Sequence, residues 1–226
     1  MNAPVICTYI GWWYDDGTFE PIMLLGCSGG DGDISPNYGD GVGGHGGGGG
    51  GGGNNGDNSG LTMPPPPKIP IADMQKFLSC FNIQQSANLT IYAAQMGSSS
   101  LAGHAFITIT QGNNTMTFGF YPKNGYAQQL IGPGIFGDDS GHPYTNAWDA
   151  GSITPTQLQQ IIATALAYSN SNYNLGFSNC SDFVLSVLNL IGLTNNTAGV
   201  NTPDDVATLI GHFANGTASS THRTCN

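Results

Sequence analysis

Charge is what this chain has least of. Only 8% of its 226 residues are Asp, Glu, Lys or Arg, about a third of the share usual in soluble domains. Its polar surface must therefore be built from Asn, Gln, Ser, Thr and Gly rather than from ion pairs. Positive charge is scarcer still: four Lys or Arg stand against fourteen Asp or Glu, for a formal net charge of −10. With no basic patch to neutralise phosphates, the composition argues against nucleic acid as a partner and against anionic membrane surfaces. No run approaches 18 apolar residues, so no membrane-spanning helix is expected. The first 25 residues have no basic n-region, and Asp15, Asp16 and Glu20 interrupt their apolar stretch, so a standard signal peptide is not expected.

Cysteine is also sparse. Cys7, Cys27, Cys80, Cys180 and Cys225 are scattered, without CxxC spacing or His partners at metal-ligand distances. No metal and no cofactor are expected. The odd count leaves at least one thiol free if the others bridge. The spacing permits Cys7–Cys27 and Cys80–Cys225 pairs without fixing either. The uncharged Asn/Thr/Gly-rich surface is of the kind found in proteins that work outside cells, so an extracellular or cell-surface location is expected.

What the chain does have is sharply segmented. Residues 1–25 read as a short extended element: Val5 to Ile10, an aromatic Trp12-Trp13-Tyr14, a turn at Asp16-Gly17, then Ile22 to Leu25. Residues 26–68 read as a Gly/Pro-rich linker, with an unbroken run from Gly46 to Gly53 that cannot bury enough apolar surface to offset its ordering entropy. Pro64 to Pro67 should form a stiff spacer. The folded domain, 69–226, is expected to be α+β, an antiparallel sheet with packed helices. Met74, Phe77, Leu78 and Phe81 fall at helical spacing. Asn88 to Gln95 and Gly103 to Thr110 alternate as strands, and Thr115 to Tyr121 returns as a hairpin partner ended by Pro122. Lys123 to Ser152 reads as irregular. Thr154-Pro155 caps a helix, Asn179-Cys180-Ser181-Asp182 opens a second, and Thr202 caps a third from Pro203 to Phe213. Asp182 reads as a solvated residue compensating the helix dipole.

Two residues stand at special points. Cys180 falls at a helix start, where unpaired N–H groups and the helix dipole stabilise a thiolate. His104 opens a strand directly after Gly103. A nucleophilic cysteine needs an electropositive position and a base within hydrogen-bond reach, and this pair would supply both if the side chains met.

The stretches Gly103-His104-Ala105-Phe106-Ile107, Phe118-Gly119-Phe120-Tyr121-Pro122, and Tyr173 through Asn179-Cys180-Ser181-Asp182-Phe183 resemble the circularly permuted papain-like cysteine hydrolases. That group is similar to the NlpC-like peptidoglycan peptidases and the lecithin:retinol acyltransferase-like proteins. In it a strand bearing His precedes a core helix bearing Cys, the order found here, and the glycine tract resembles secreted proteins of Bacteroidetes-type bacteria. The resemblance covers roughly residues 88–193. It implies Cys180 as nucleophile, His104 as base, and a third polar residue orienting the imidazole, normally on the strand after the His strand. That strand offers no His, Asn, Asp or Gln here; Thr117 and Tyr121 would share a face with His104, and the loop residues Asp139 and His142 are further candidates. The implied function is a thiol hydrolase cleaving an amide bond in a peptide or cell-wall substrate. An acyltransferase or thioesterase, an antibacterial toxin domain, or an inactive binding module of the same fold are the alternatives.

Overall fold

A computed structural model describes residues 6–13, 19–28, 64–98, 100, 102–124, 131–194 and 200–225. The chain forms two compact units, 1–62 and 63–226. In the first, β1 (Ile6–Trp13) and β2 (Phe19–Ser28) pair antiparallel, with Cys7 opposite Cys27 in the register. β2 reaches three residues beyond the boundary expected at Leu25. The glycine tract with its expected disorder, the Asp16-Gly17 turn and the side chains of the aromatic segment lie outside the described residues.

The second unit is α+β. Along the chain run β3 (Pro70–Ile71), α1 (Met74–Leu78), β4 (Ala87–Ala94), β5 (His104–Gln111), β6 (Asn114–Pro122), β7 (Ile131–Asp138), β8 (Pro143–Ile153), α2 (Pro155–Ser169), β9 (Asn172–Asn174), α3 (Cys180–Leu190), α4 (Pro203–Ile210) and β10 (Phe213–Thr217). The sheet order is β10-β8-β4-β5-β6-β7-β3, with β9 against β7, and every pairing among the described strands is antiparallel. Among the described residues no helix is long and apolar enough to cross a membrane.

Strand β5 shows why the sheet holds together. Ala105, Ile107 and Ile109 point into the main core, where Leu158 and Ile161 of α2 and Phe183, Val184 and Val187 of α3 meet them. His104, Phe106 and Thr108 line the other face, yet they too are buried. That face is covered by Tyr92, Ala218 and the half-buried Tyr144. Burial on both sides is thus reached with an alternating sequence, the second face carrying His104 and Thr108 among its buried side chains.

Four expectations need correcting. Residues 123–152 are not irregular, because β7 and β8 occupy most of them. β7 escapes a pattern search because it is built on glycine. A Cβ at Gly134 would overlap the Phe120 ring, and one at Gly137 would strike Pro67 and the Tyr121 ring. The proline run is therefore not a free spacer: Pro64 is buried and Pro67 lies over β7. The last helix stops at Ile210, not Phe213, because Gly211 takes the left-handed conformation at its C-cap (φ 65°), and Phe213 starts a strand. Asp182 is buried rather than solvated, as described below.

Candidate active site

Two local devices set the geometry. Gly103 adopts φ 65°, and a Cβ there would come within 2.7 Å of the Ala94 carbonyl oxygen, so only glycine allows the tight entry that places His104 first in β5. At α3, Asn179 is the N-cap: its Oδ1 accepts from the N–H groups of Ser181 at 2.7 Å and Asp182 at 3.1 Å. Asp182 closes a capping box by accepting the Asn179 N–H at 2.8 Å. The second Asp182 oxygen accepts from Asn201 Nδ2 at 2.6 Å. Burial nonetheless pushes its carboxyl up to about 6, against the pull of those Asn201 and Asn179 hydrogen bonds.

This leaves Cys180 as the first helical residue, in a fork of the sheet. The β5–β6 ladder runs from Gln111–Asn114 to Ile107–Phe118 and stops, while β6 continues against β7 to Pro122. Beside the opened end of β5, the His104 ring and the Ala105 backbone lie close enough to the Cys180 thiol to act on its ionisation. Cys180 is buried and its thiol is free, whereas Cys80 and Cys225 are bridged.

Behind the imidazole stands Asp139. His104 Nε2–H donates to Asp139 Oδ2 at 3.1 Å, which leaves Nδ1 for the thiol. The other carboxylate oxygen accepts the Tyr121 hydroxyl. Gly119 of β6 makes this contact sterically allowed: a Cβ would fall 2.5 Å from His104 Nε2 and 2.6 Å from Asp139 Oδ2. The imidazole also lies 4.2 Å from the Tyr121 ring, 5.4 Å from Phe106 and 5.1 Å from His142, centroid to centroid.

The electrostatics favour charge separation. Burial alone would depress the His104 pKa, but the charge and hydrogen bond of Asp139, with smaller help from Cys180, raise it to about 9. Burial alone would raise the Cys180 pKa, but the His104 hydrogen bond and charge, the Ala105 N–H and the Ser181 hydroxyl bring it below that of an ordinary thiol. Both shifts stabilise a thiolate beside an imidazolium.

Of the four third-residue candidates, Asp139 meets His104 directly and Tyr121 stands one bond behind it. His142 packs against the ring while its own Nδ1–H donates to the Pro143 carbonyl at 2.8 Å; burial, and then the charge of His104, lower its pKa. Thr117 is turned away, its hydroxyl engaged by Thr108 Oγ1 at 2.7 Å and by the Ser219 carbonyl at 2.8 Å.

Two participants went unread in the sequence. Tyr173 of β9 is buried beside Cys180, and burial, then the charge of Cys180, push its hydroxyl pKa well up; nothing seven residues before a cysteine marks such a contact. Gly119 did carry a signal, because a lone glycine inside a strand often marks close approach of another group. No group of three or more metal-ligating side chains occurs among the described residues. A surface groove between Ile71, Asp73, Lys123, Phe136, Leu166 and Asn170 is lined by none of the candidate residues.

Compared with known proteins, the chain matches no family model, no curated protein and no solved structure, so what the site does has to be argued from its own geometry. A thiol with a lowered pKa, an imidazole held by a carboxylate, and a backbone N–H beside the sulfur are the parts nucleophilic acyl chemistry requires.

Proposed function

We propose that the chain is a thiol hydrolase of the permuted papain-like kind, cleaving an amide bond in a peptide or cell-wall substrate outside the cell. The observation that carries this reading is the connected line Cys180–His104–Asp139, built at a helix start. The Cys180 thiolate attacks the carbonyl carbon, and the imidazolium of His104 then protonates the leaving amine. Water hydrolyses the resulting thioester, with His104 as base. Asp139 accepts from His104 Nε2–H and so fixes the tautomer, leaving Nδ1 to serve the thiol. The Cys180 N–H and the Tyr173 hydroxyl are the donors at hand for the oxyanion.

The order of His strand before Cys helix, on an antiparallel sheet, supports the permuted papain-like assignment. The Cys80–Cys225 disulfide supports an oxidising, extracellular setting. Asp139, as a residue orienting the imidazole, speaks against the inactive-module alternative. Acyl transfer to an amine or hydroxyl uses the same groups. It gains from the burial of the pair, since Cys180 is 4% and His104 3% exposed, and exclusion of water spares a thioester for another acceptor.

Iodoacetamide at about pH 6 is expected to modify Cys180 many times faster than a free cysteine, which is almost wholly protonated there, and His104→Ala should abolish the advantage. Labelling of Cys180 at the rate of free cysteine, unchanged by His104→Ala, would overturn the proposal.

A further inference from the structure

The segment from Ala218 to Cys225 ties the site to the disulfide. β6 pairs with β7 only from Phe118, opposite Asp138, to Pro122, so its first half has an open edge on that side. The tail fills it. Thr115 and His222 exchange both backbone hydrogen bonds, at 2.8 and 2.7 Å. The Thr117 N–H donates to Thr221 Oγ1 at 3.1 Å, and Thr117 Oγ1 donates to the Ser219 carbonyl.

The same tail residues hold the turn that carries Asp139. Thr221 Oγ1 donates to Asp138 Oδ1 at 2.8 Å, and the Thr221 N–H to Ser140 Oγ at 2.7 Å. Gly141 N–H donates to the Ala218 carbonyl at 3.2 Å, and Ala218 N–H to the His142 carbonyl at 2.9 Å. Asp139 itself reaches β6 through one backbone bond, N–H to the Thr117 carbonyl at 2.9 Å. Residues on both sides of it therefore hang on the tail. The far end is pinned to the start of β6 and to the α1 region: Thr224 N–H donates to Asn114 Oδ1, Arg223 Nη2 to the Lys76 carbonyl, and Cys225 is bonded to Cys80.

We propose that the Cys80–Cys225 disulfide is a clasp that sets the position of Asp139, so that the site is competent when the disulfide is closed and idle when it is open. The proposal rests on the Cys180–His104–Asp139 reading and adds its regulation. Opening is thiol–disulfide exchange: two thiols of a reductant become one disulfide, and Cys80 and Cys225 leave as two thiols. The tail then separates from β6, the turn loses four hydrogen bonds, and the carboxylate no longer holds the imidazole. A protein built this way is latent in a reducing compartment and armed in an oxidising one. Thr221 is a positioning residue in this scheme, acting through Asp139.

The test compares the full chain, oxidised and after reduction with dithiothreitol and its removal. Modification of the Cys180 peptide by iodoacetamide is followed by mass spectrometry from pH 5 to 9, with far-UV circular dichroism alongside. Reduction is expected to slow Cys180 modification at least about tenfold at pH 6, with the two forms converging by pH 9, because an ordinary thiol ionises near 8.5. The dichroism should not change. Cys225→Ser should behave as the reduced form. Thr221→Val, with the disulfide intact, should slow the reaction at pH 6 in the same direction. Asp139→Asn should be slow in both redox states, since the clasp acts through that residue. Equal rates at pH 6 before and after reduction would overturn the clasp. So would a collapse of the dichroism on reduction, which would make the bridge a global staple, or a further tenfold slowing in the Asp139→Asn background. An oxidised protein whose Cys180 reacts like free cysteine, with or without Asp139→Asn, would overturn the site reading and the clasp with it.

Discussion

Adding one methyl group at Gly119 tests the site without knowledge of a substrate. In Gly119→Ala the new Cβ would sit 2.5 Å from His104 Nε2, 2.8 Å from His104 Cε1 and 2.6 Å from Asp139 Oδ2. Those contacts fall roughly 0.6–0.9 Å inside the 3.4 Å at which ordinary van der Waals contact begins. The methyl lies close to both ends of a 3.1 Å hydrogen bond, so it acts as a wedge: imidazole and carboxylate must both retreat, and they separate as they do. Overpacking of this size costs about 1–3 kcal/mol, and each kcal/mol lowers the melting temperature of a unit this large by about 2–4 °C. The larger effect is on chemistry, where a misplacement of about 1 Å costs on the order of 100-fold. With His104 released from Asp139, the larger influence that offsets its burial is gone and only the smaller help of Cys180 remains; the ring loses its proton more readily, and the Cys180 pKa rises towards that of an ordinary thiol. Alkylation of Cys180 in Gly119→Ala should therefore slow at least about tenfold at pH 6 and recover by pH 9, where an ordinary thiol is largely ionised. The reasoning is refuted if Gly119→Ala melts several degrees lower yet keeps the wild-type rate at pH 6, since the carboxylate would then be dispensable to the thiolate.

Two more outcomes follow from the same groups. Tyr121→Phe leaves one oxygen of a buried carboxylate without its donor, so thermal unfolding should show a loss of about 1.5–3 kcal/mol, the range for hydrogen bonds to charged groups; an unchanged melting curve would mean that water or another donor replaces the hydroxyl. The pH dependence of stability should expose His104 once its partner's opposing ionisation is removed in Cys180→Ala. A folded-state pKa held above 6.5 by Asp139 means that its stabilisation is fully present below pH 6.5 and is lost as pH climbs through that raised value. Chemical denaturation of Cys180→Ala should show that decline, and the decline should vanish in Cys180→Ala/Asp139→Asn.

The elements legible in the sequence were those whose signals are local. Thr154 with Gln157 and Asn179 with Asp182 carry complete capping boxes, so α2 and α3 start where the pattern puts them. β4, β5 and β6 follow alternation, displaced by a residue at most at their starts. β7 was illegible because its glycines exist to admit the rings of Phe120 and Tyr121, a reason that lies in other strands. The site divides in the same way. Cys180 and His104 stand at the starts of their elements, and a start can be read. Asp139 stands 35 residues from His104 in a turn without a motif, and only the meeting of β6, β7 and the tail makes it a neighbour. The solvated role expected of Asp182 failed because a capping residue at an exposed helix end and one at a buried end look identical in sequence.

The lone ion pair among the described residues, His104–Asp139, lies inside the molecule, and this bears on how the protein responds to salt. Added electrolyte screens exposed charges over a Debye length of about 10 Å at 0.1 M but reaches buried pairs far less. A protein that relied on surface bridges would lose them as ionic strength rose. Here the described surface has none to lose, while a net charge of −10 repels itself until counter-ions gather. Added electrolyte therefore leaves this buried pair in place while it damps the self-repulsion of the net charge.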